Sequence, residues 1–394
     1  MLTDEQIAKK KKYAGEKKVS MKRRDDHHDY TERRMYMITM EVEGRRPVFG
    51  RLVDDPFAPE GSGQEARIEL SELGTAVQHE WMGIHGYYPQ IEVMGVQMMP
   101  DHMHGILFVK APLPVHLGQV ISGFKAGCRK AERALMERRR EERGPASASA
   151  SAPASASAEP MPTEKGEMTE KGEKEGMKEM KGMKEKGGGS QQVTALPSAR
   201  GEGYRPLFAK GYNDLILRSY DELLAWLNYL HDNPRRLMMK RARPEYLRPF
   251  FNLRIGSHTY SGIGNCQLLS APQRIAVRLS RRFTEKDIVR EINSHLEAAR
   301  RGAVLVSPAI SPAEKRVMRA AFDAGFPTIV LMENGFTPLS KPHGEQFYAC
   351  AKGTLLMLSP WEHHNEKRKL TSMQCQQLNL MALEISQKGN AKTL

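Results

Sequence analysis

The chain of 394 residues has only four cysteines, Cys128, Cys266, Cys350 and Cys375, and no two of them form a CxxC pair. Thiols scattered in this way argue against a disulfide framework and a thiolate zinc site, and favour reduced cysteines in the cytoplasm. No apolar run approaches bilayer-spanning length, and the basic N-terminus lacks the hydrophobic core of a secretion signal. Neither a membrane nor an export route is therefore expected. Acidic residues are outnumbered, 47 Asp+Glu against 60 Lys+Arg, which leaves a net charge of +13 and a pI near 9.5. That excess favours a polyanionic partner, nucleic acid above all, without specifying which. Aromatic residues are missing altogether from Gly144 to Gly203, where Ala-Ser repeats give way to Glu, Lys, Gly and Met. A segment so poor in apolar surface cannot offset its ordering entropy, so it reads as a disordered insertion.

What remains is enough for two domains with separate cores. Residues 1–29 form a Lys/Arg-rich tail, a solvated segment or a non-specific phosphate binder. Residues 30–144 hold a first folded part, 145–203 the insertion, 204–254 its continuation and 255–394 a second domain. In the first part, Arg34 to Val42 fits a strand with Tyr36, Ile38 and Met40 on one face, and Val48 to Val53 a second short run. Ser71 to Met82 reads as a helix, and Ile91 to Met98 as a strand. His116 to Arg143 reads as a long helix with Leu117, Val120, Ile121, Phe124 and Cys128 inward. Lys125, Arg129, Lys130 and Arg133 crowd its remaining surface, either as a solvated face or as phosphate contacts.

Between Val96 and Val109 a Pro100-Asp101 turn separates two apolar runs, which predicts adjacent strands meeting at a corner. Alternation puts His102 and His104 on one face, and Met103 and Leu107 on the other. Two imidazoles at that spacing are either ordinary strand histidines or a pair able to hold one divalent ion. Far downstream, Ser219-x-x-Glu222 opens a helix with the stripe Leu223, Trp226, Leu227 and Leu230. Tyr229 and Asn233 lie one turn apart at the edge of that stripe. Pro234 predicts the helix end, which makes Asn233 a C-cap unless it has another task. His231 points about 160° away from Tyr229, and Tyr212 lacks an amide four residues on.

Pro100-Asp101-His102-Met103-His104 followed by Tyr229-Leu230-His231-Asp232-Asn233-Pro234 resembles the signature of the single-tyrosine HUH transposases. The resemblance is closest to the REP-associated tyrosine transposases of the insertion-sequence-200-like superfamily. It covers residues 30–144 and 204–250. The histidine-triad nucleotide hydrolases share His-x-His but need a third histidine where this chain has Ile106. The transposase resemblance implies an α+β fold, a ferredoxin-like or RRM-like antiparallel sheet with helices packed on it. It implies that Tyr229 is the nucleophile, and that His102, His104 and Asn233 bind Mg²⁺ or Mn²⁺. The implied substrate is single-stranded DNA beside palindromic hairpins, cut through a 5′-phosphotyrosine intermediate. Lys125, Arg129 and Arg205 are the candidates for DNA phosphate contacts. A homodimer is compatible with the resemblance. The chain departs from the pattern in its insertion, in Arg235 at a position usually apolar, and in its long C-terminal part. A DNA-binding regulator that kept the fold without catalysis is the alternative.

From Arg274 onward, strands and helices alternate: Arg274 to Leu279, Thr284 to Arg301, Ala303 to Val306, a helix from Ser311 with Pro312 at its first position, Thr328 to Met332, and Thr354 to Leu358. Such alternation predicts a parallel sheet wrapped by helices, similar to the Rossmann-like folds of DNA-processing protein A and the LOG nucleotide hydrolases. The glycine-rich phosphate fingerprint is missing, because Gly262-Ile263-Gly264 is expected to precede the first strand. No catalytic residue is assigned there. The module is structural or binds a nucleotide.

Overall fold

The computed structural model describes residues 28–59, 61–142, 205–280, 282–366 and 368–387. The greater part of the basic tail and the whole 145–203 insertion lie outside the described residues. The described chain divides into two compact units, one of residues 28–142 with 205–238, the other of residues 239–387.

The first unit is α+β. Its strands are β1 (Arg34–Glu41), β2 (Gly50–Val53), β3 (Arg67–Leu70), β4 (Ile91–Met99), β5 (His102–Val109) and β6 (Asn213–Leu217). Its helices are α1 (Glu72–Met82), α2 (Leu117–Glu142) and α3 (Tyr220–Ala242), the last of which runs past residue 238 into the second unit. Four strands form an antiparallel sheet in the order β4-β5-β1-β6, and β2 and β3 pair separately as a hairpin. Tyr36, Ile38 and Met40 of β1 alternate onto one face with Met103 and Leu107 of β5, and all are buried. That face packs on Leu73, Val77 and Trp81 of α1 and on Leu117, Val120, Ile121, Phe124 and Cys128 of α2. The Cys128 thiol is pushed up by burial, a core residue and no nucleophile. Ser71 caps α1 by accepting from the Gly74 amide at 2.9 Å, so that helix starts where its sequence predicts.

α3 does not end at Pro234. It continues to Ala242 with the proline inside, so Asn233 is a buried interior residue and not a C-cap. The run Arg235–Ala242 is rich in good helix formers, which outweighs the one amide that Pro234 withholds. β6 is likewise a strand that local pattern does not reveal; its pairing with β1 creates it.

The second unit is built on a six-stranded sheet. Its strands are β7 (Phe250–Ile255), β8 (His258–Gly264), β9 (Arg274–Ala276), β10 (Val304–Ser307), β11 (Thr328–Leu331) and β12 (Leu355–Ser359). They run in the order β7-β8-β12-β11-β10-β9, parallel from β9 to β12 and antiparallel at β8 and β7. Its helices are α4 (Glu285–Arg300), α5 (Pro312–Asp323), α6 (Glu345–Lys352) and α7 (Ser372–Gln387). Gly262–Gly264 lies inside β8, because the hairpin β7–β8 precedes the parallel strands and joins their sheet. Capping boxes at Thr284 and Ser311 start α4 and α5. No helix among the described residues is long and apolar enough to cross a membrane.

Candidate functional site

The antiparallel register decides what shares the second face of the first sheet. His104 lies opposite Gln97 of β4 and Thr39 of β1; His102 lies opposite Met99 and Glu41; Thr39 in turn faces Asn213 of β6. Partners directly across an antiparallel ladder project to the same side. Thr39, Gln97, His102, His104 and Asn213 therefore share the face that α1 and α2 leave to other elements. The imidazoles of His102 and His104 stand edge to face, with centroids 4.9 Å apart and planes at 86°. They are only 6% and 4% exposed.

Buried imidazoles are held by specific partners. His102 Nδ1 lies 2.6 Å from Asp101 Oδ1, and His104 Nδ1 lies 2.8 Å from Thr39 Oγ1. Arg45 extends the first contact: its Nη1 is 3.3 Å from Asp101 Oδ2 and its Nη2 is 2.8 Å from Glu41 Oε1. The turn carrying Asp101 is pinned as well, by the Val42 amide on Asp101 O (2.9 Å) and the Phe49 amide on Pro100 O (3.1 Å). Burial lowers the pKa of His104 well below the ordinary value, and the neighbouring His102 and Arg45 charges act the same way. His104 is thus neutral at pH 7. Burial alone would raise the Asp101 carboxyl, but the His102 hydrogen bond and the His102 and Arg45 charges outweigh it and hold it below the usual range.

α3 reaches the histidine face. A Cβ built on Gly95 of β4 would lie 2.9 Å from Leu227 Cδ2. Gly95 pairs with Ile106 and therefore points to the same side as Gln97 and His104. Leu223, Trp226, Leu230 and Asn233 make the buried stripe of α3, and Asn233 is 8% exposed. Tyr229 is half-buried beside that stripe, its ring 5.5 Å from that of Trp226 and 5.7 Å from the Arg236 guanidinium. Arg235 donates from Nε to Pro56 O at 3.0 Å, in the loop after β2. Tyr212 packs in the core on the opposite face, and His231 is exposed.

The three basic residues considered for DNA phosphates are placed differently. Lys125 Nζ donates to Ala209 O (3.0 Å) and Gly211 O (2.5 Å), tying down the segment before β6. Arg129 is exposed on α2, the helix that covers the other face, and Arg205 is exposed ahead of β6. Among the described residues no three His, Cys, Asp or Glu side chains group as a metal site. A cation held by the two histidines therefore needs a neutral third donor such as an amide.

Thr39, Arg45 and Glu41 lie outside the motif, and Asp101 stands within it with no role assigned by it. Thr39 had a signal, as a polar residue on the strand face opposite Tyr36, Ile38 and Met40. Arg45 had none, since it depends on a left-handed turn at Gly44 and Arg45, with φ of 68° and 55°.

No family model matches the chain. An uncharacterized protein of Haemophilus influenzae is 25% identical over 121 residues, a match covering 26% of this chain and 61% of that protein. The chain thus spans less than two thirds of that relative's length. Among solved structures, DNA processing protein A from Helicobacter pylori, described for its single-stranded DNA binding mode, is 20% identical with a TM-score of 0.25. That match covers 32% of this chain and 57% of the other.

Proposed function

We propose that the first unit is a metal-dependent nuclease and strand transferase acting on single-stranded DNA next to hairpins, of the REP-associated tyrosine transposase kind. The observation that carries the reading is the close approach of Leu227, on the tyrosine helix, to Gly95 on the sheet face bearing both histidines. The βαββαβ order with strands β4-β5-β1-β6 supports a ferredoxin-like fold for this unit. Four parallel strands joined through helices support a Rossmann-like fold for the second.

Spacing supports the convergence. Asn233 lies six residues beyond Leu227, about 9 Å along a helix. Gln97 and Met99, the partners of His104 and His102, lie about 7 and 14 Å beyond Gly95 along a strand. Arg235, through its bond to Pro56, ties the far part of α3 to the loop after β2.

The donor set fits a hard or borderline divalent ion: the imidazole nitrogens of His102 and His104, and the carboxamide oxygen of Asn233. Bound there, Mg²⁺ or Mn²⁺ supplies Lewis-acid polarisation of a phosphate oxygen. The protein's own groups do the rest. Tyr229 Oη forms the bond to phosphorus as the bond to the 3′-oxygen breaks, and the phenol proton ends on that 3′-oxygen. A 5′-phosphotyrosine and a free 3′-hydroxyl result. Because the link retains the phosphodiester's energy, another 3′-hydroxyl can reverse the step, and the net reaction is strand transfer.

Incubating the protein with Mn²⁺ and a 3′-labelled hairpin oligonucleotide carrying single-stranded flanks tests this. A covalent adduct that survives denaturation, and is lost in Tyr229→Phe and with chelator, is expected. Tight DNA binding with no adduct under any metal would replace the enzyme by a DNA-binding regulator.

A further inference from the structure

We infer that Asp101 and Thr39 are positioning residues that lock both imidazoles in the Nδ1–H tautomer, so that two Nε2 lone pairs face the candidate metal position. This rests on the function proposed above only for the identity of what the lone pairs meet. The tautomers themselves are inferred from the contacts. A neutral imidazole has one N–H and one lone pair, and the hydrogen bond made by one nitrogen fixes the character of the other.

For His102, Nδ1 lies 2.6 Å from a carboxylate oxygen, which only accepts, and 3.5 Å from Arg45 Nη1, which only donates; the much shorter contact with the carboxylate decides. Nδ1 must then carry hydrogen, and in the neutral ring Nε2 is left with the lone pair. Asp101 is in turn kept in place by Arg45 on its other oxygen, and Arg45 by Glu41. For His104, the partner is a hydroxyl, which both donates and accepts. Thr39 Oγ1 also lies 3.4 Å from Met37 Sδ, and a thioether has nothing to donate. With the hydroxyl hydrogen turned to sulfur, Thr39 accepts from His104 Nδ1–H, and Nε2 is again the acceptor.

Two unrelated devices, an acid–arginine chain and a hydroxyl–thioether chain, thus favour the same tautomer on neighbouring rings. A structural role alone would need each ring hydrogen-bonded but would not require the two tautomers to agree. Outer partners of this kind orient metal-ligating histidines and raise their basicity, and removing one typically weakens metal binding 10- to 100-fold.

The test uses the full-length protein with ¹⁵N-labelled histidine. Long-range ¹H–¹⁵N spectra of the metal-free protein are expected to show the Nδ1–H form for His102 and His104. Asp101→Asn presents an amide, whose NH₂ can turn toward Nδ1. It is expected to shift His102 toward the Nε2–H form and to weaken Mn²⁺ binding by calorimetry 10- to 100-fold. Thr39→Val is expected to release His104 from its fixed tautomer, and Thr39→Ser to restore it. Circular dichroism confirms that each variant is folded. An Nε2–H signal for either ring in the wild type overturns the inference, as does Mn²⁺ affinity unchanged in folded Asp101→Asn. A wild type with both Nδ1–H rings that binds no Mn²⁺ overturns the metal reading of the site, while the spectrum decides the tautomers separately.

Discussion

Replacing Gly95 is the most informative perturbation of the sheet, because no side chain there separates β4 from α3. A bare Cβ would already lie 2.9 Å from Leu227 Cδ2. That is about 0.6–1.1 Å inside ordinary carbon–carbon contact. Gly95→Ala requires only that the flexible end of Leu227 rotate, a cost of about 0.5–1.5 kcal/mol. Gly95→Phe adds a ring that a rotation cannot clear, so α3 has to lift; overpacking of this kind costs about 1–3 kcal/mol. Lifting the helix by about 1 Å misplaces Tyr229 and Asn233 together, and such a shift costs on the order of 100-fold in rate. The assay is covalent adduct formation with a labelled hairpin, read beside urea unfolding. The expected order is wild type, then Ala slightly slower, then Phe about 100-fold slower while still folded. Full adduct formation in a folded Gly95→Phe protein would refute the claim that α3 works against this face.

Three further outcomes follow from other contacts. Gly105, on the opposite face between Met103 and Leu107, would put a Cβ 2.2 Å from Trp81 Cζ2. The rigid indole cannot yield as a leucine does, so Gly105→Ala should lose about 1–3 kcal/mol by urea unfolding; a loss under about 0.5 kcal/mol would contradict that packing. His104 has a folded pKa below its unfolded one, so the unfolded state binds more protons as pH falls. Stability of the metal-free protein should therefore drop by about 1.4 kcal/mol per unit below pH ~6.5, until the folded group also titrates. An identical pH slope in His104→Asn would contradict this. In the second unit, Glu314 accepts from the amides of Leu279 (3.1 Å), Ile310 (3.0 Å) and Ser311 (3.0 Å) while buried. Glu314→Gln weakens charge-assisted bonds and crowds an amide against N–H donors, so unfolding should cost about 1–3 kcal/mol less; an unchanged midpoint would refute it.

The elements most legible in the sequence are those whose pattern is local. Tyr36, Ile38 and Met40 alternate along a strand onto the face covered by α1 and α2, and Met103 divides His102 from His104 across the sheet as the motif implies. Ser71, Thr284 and Ser311 mark helix starts because capping chemistry is written within four residues. What escaped is set by distant partners. β6 is five residues long and becomes a strand by pairing with β1. The β7–β8 hairpin takes its place from β12, over ninety residues away in sequence for Gly262 and Leu358. Pro234 was a local stop signal overruled by the helix formers beyond it. Within the site, the histidine pair and the candidate tyrosine and asparagine stood out as a spaced motif. Arg45 did not, because its bond to Asp101 crosses fifty-six positions.

The central claim is that a cation bridges the sheet and α3. A crystal of the protein soaked in Mn²⁺, with data collected for anomalous scattering, measures it directly. The account predicts one peak within bonding distance of His102 Nε2, His104 Nε2 and Asn233 Oδ1, with the Tyr229 phenol oriented toward the same position. A peak bound elsewhere, or an Asn233 carboxamide turned away from the two imidazoles, would contradict it.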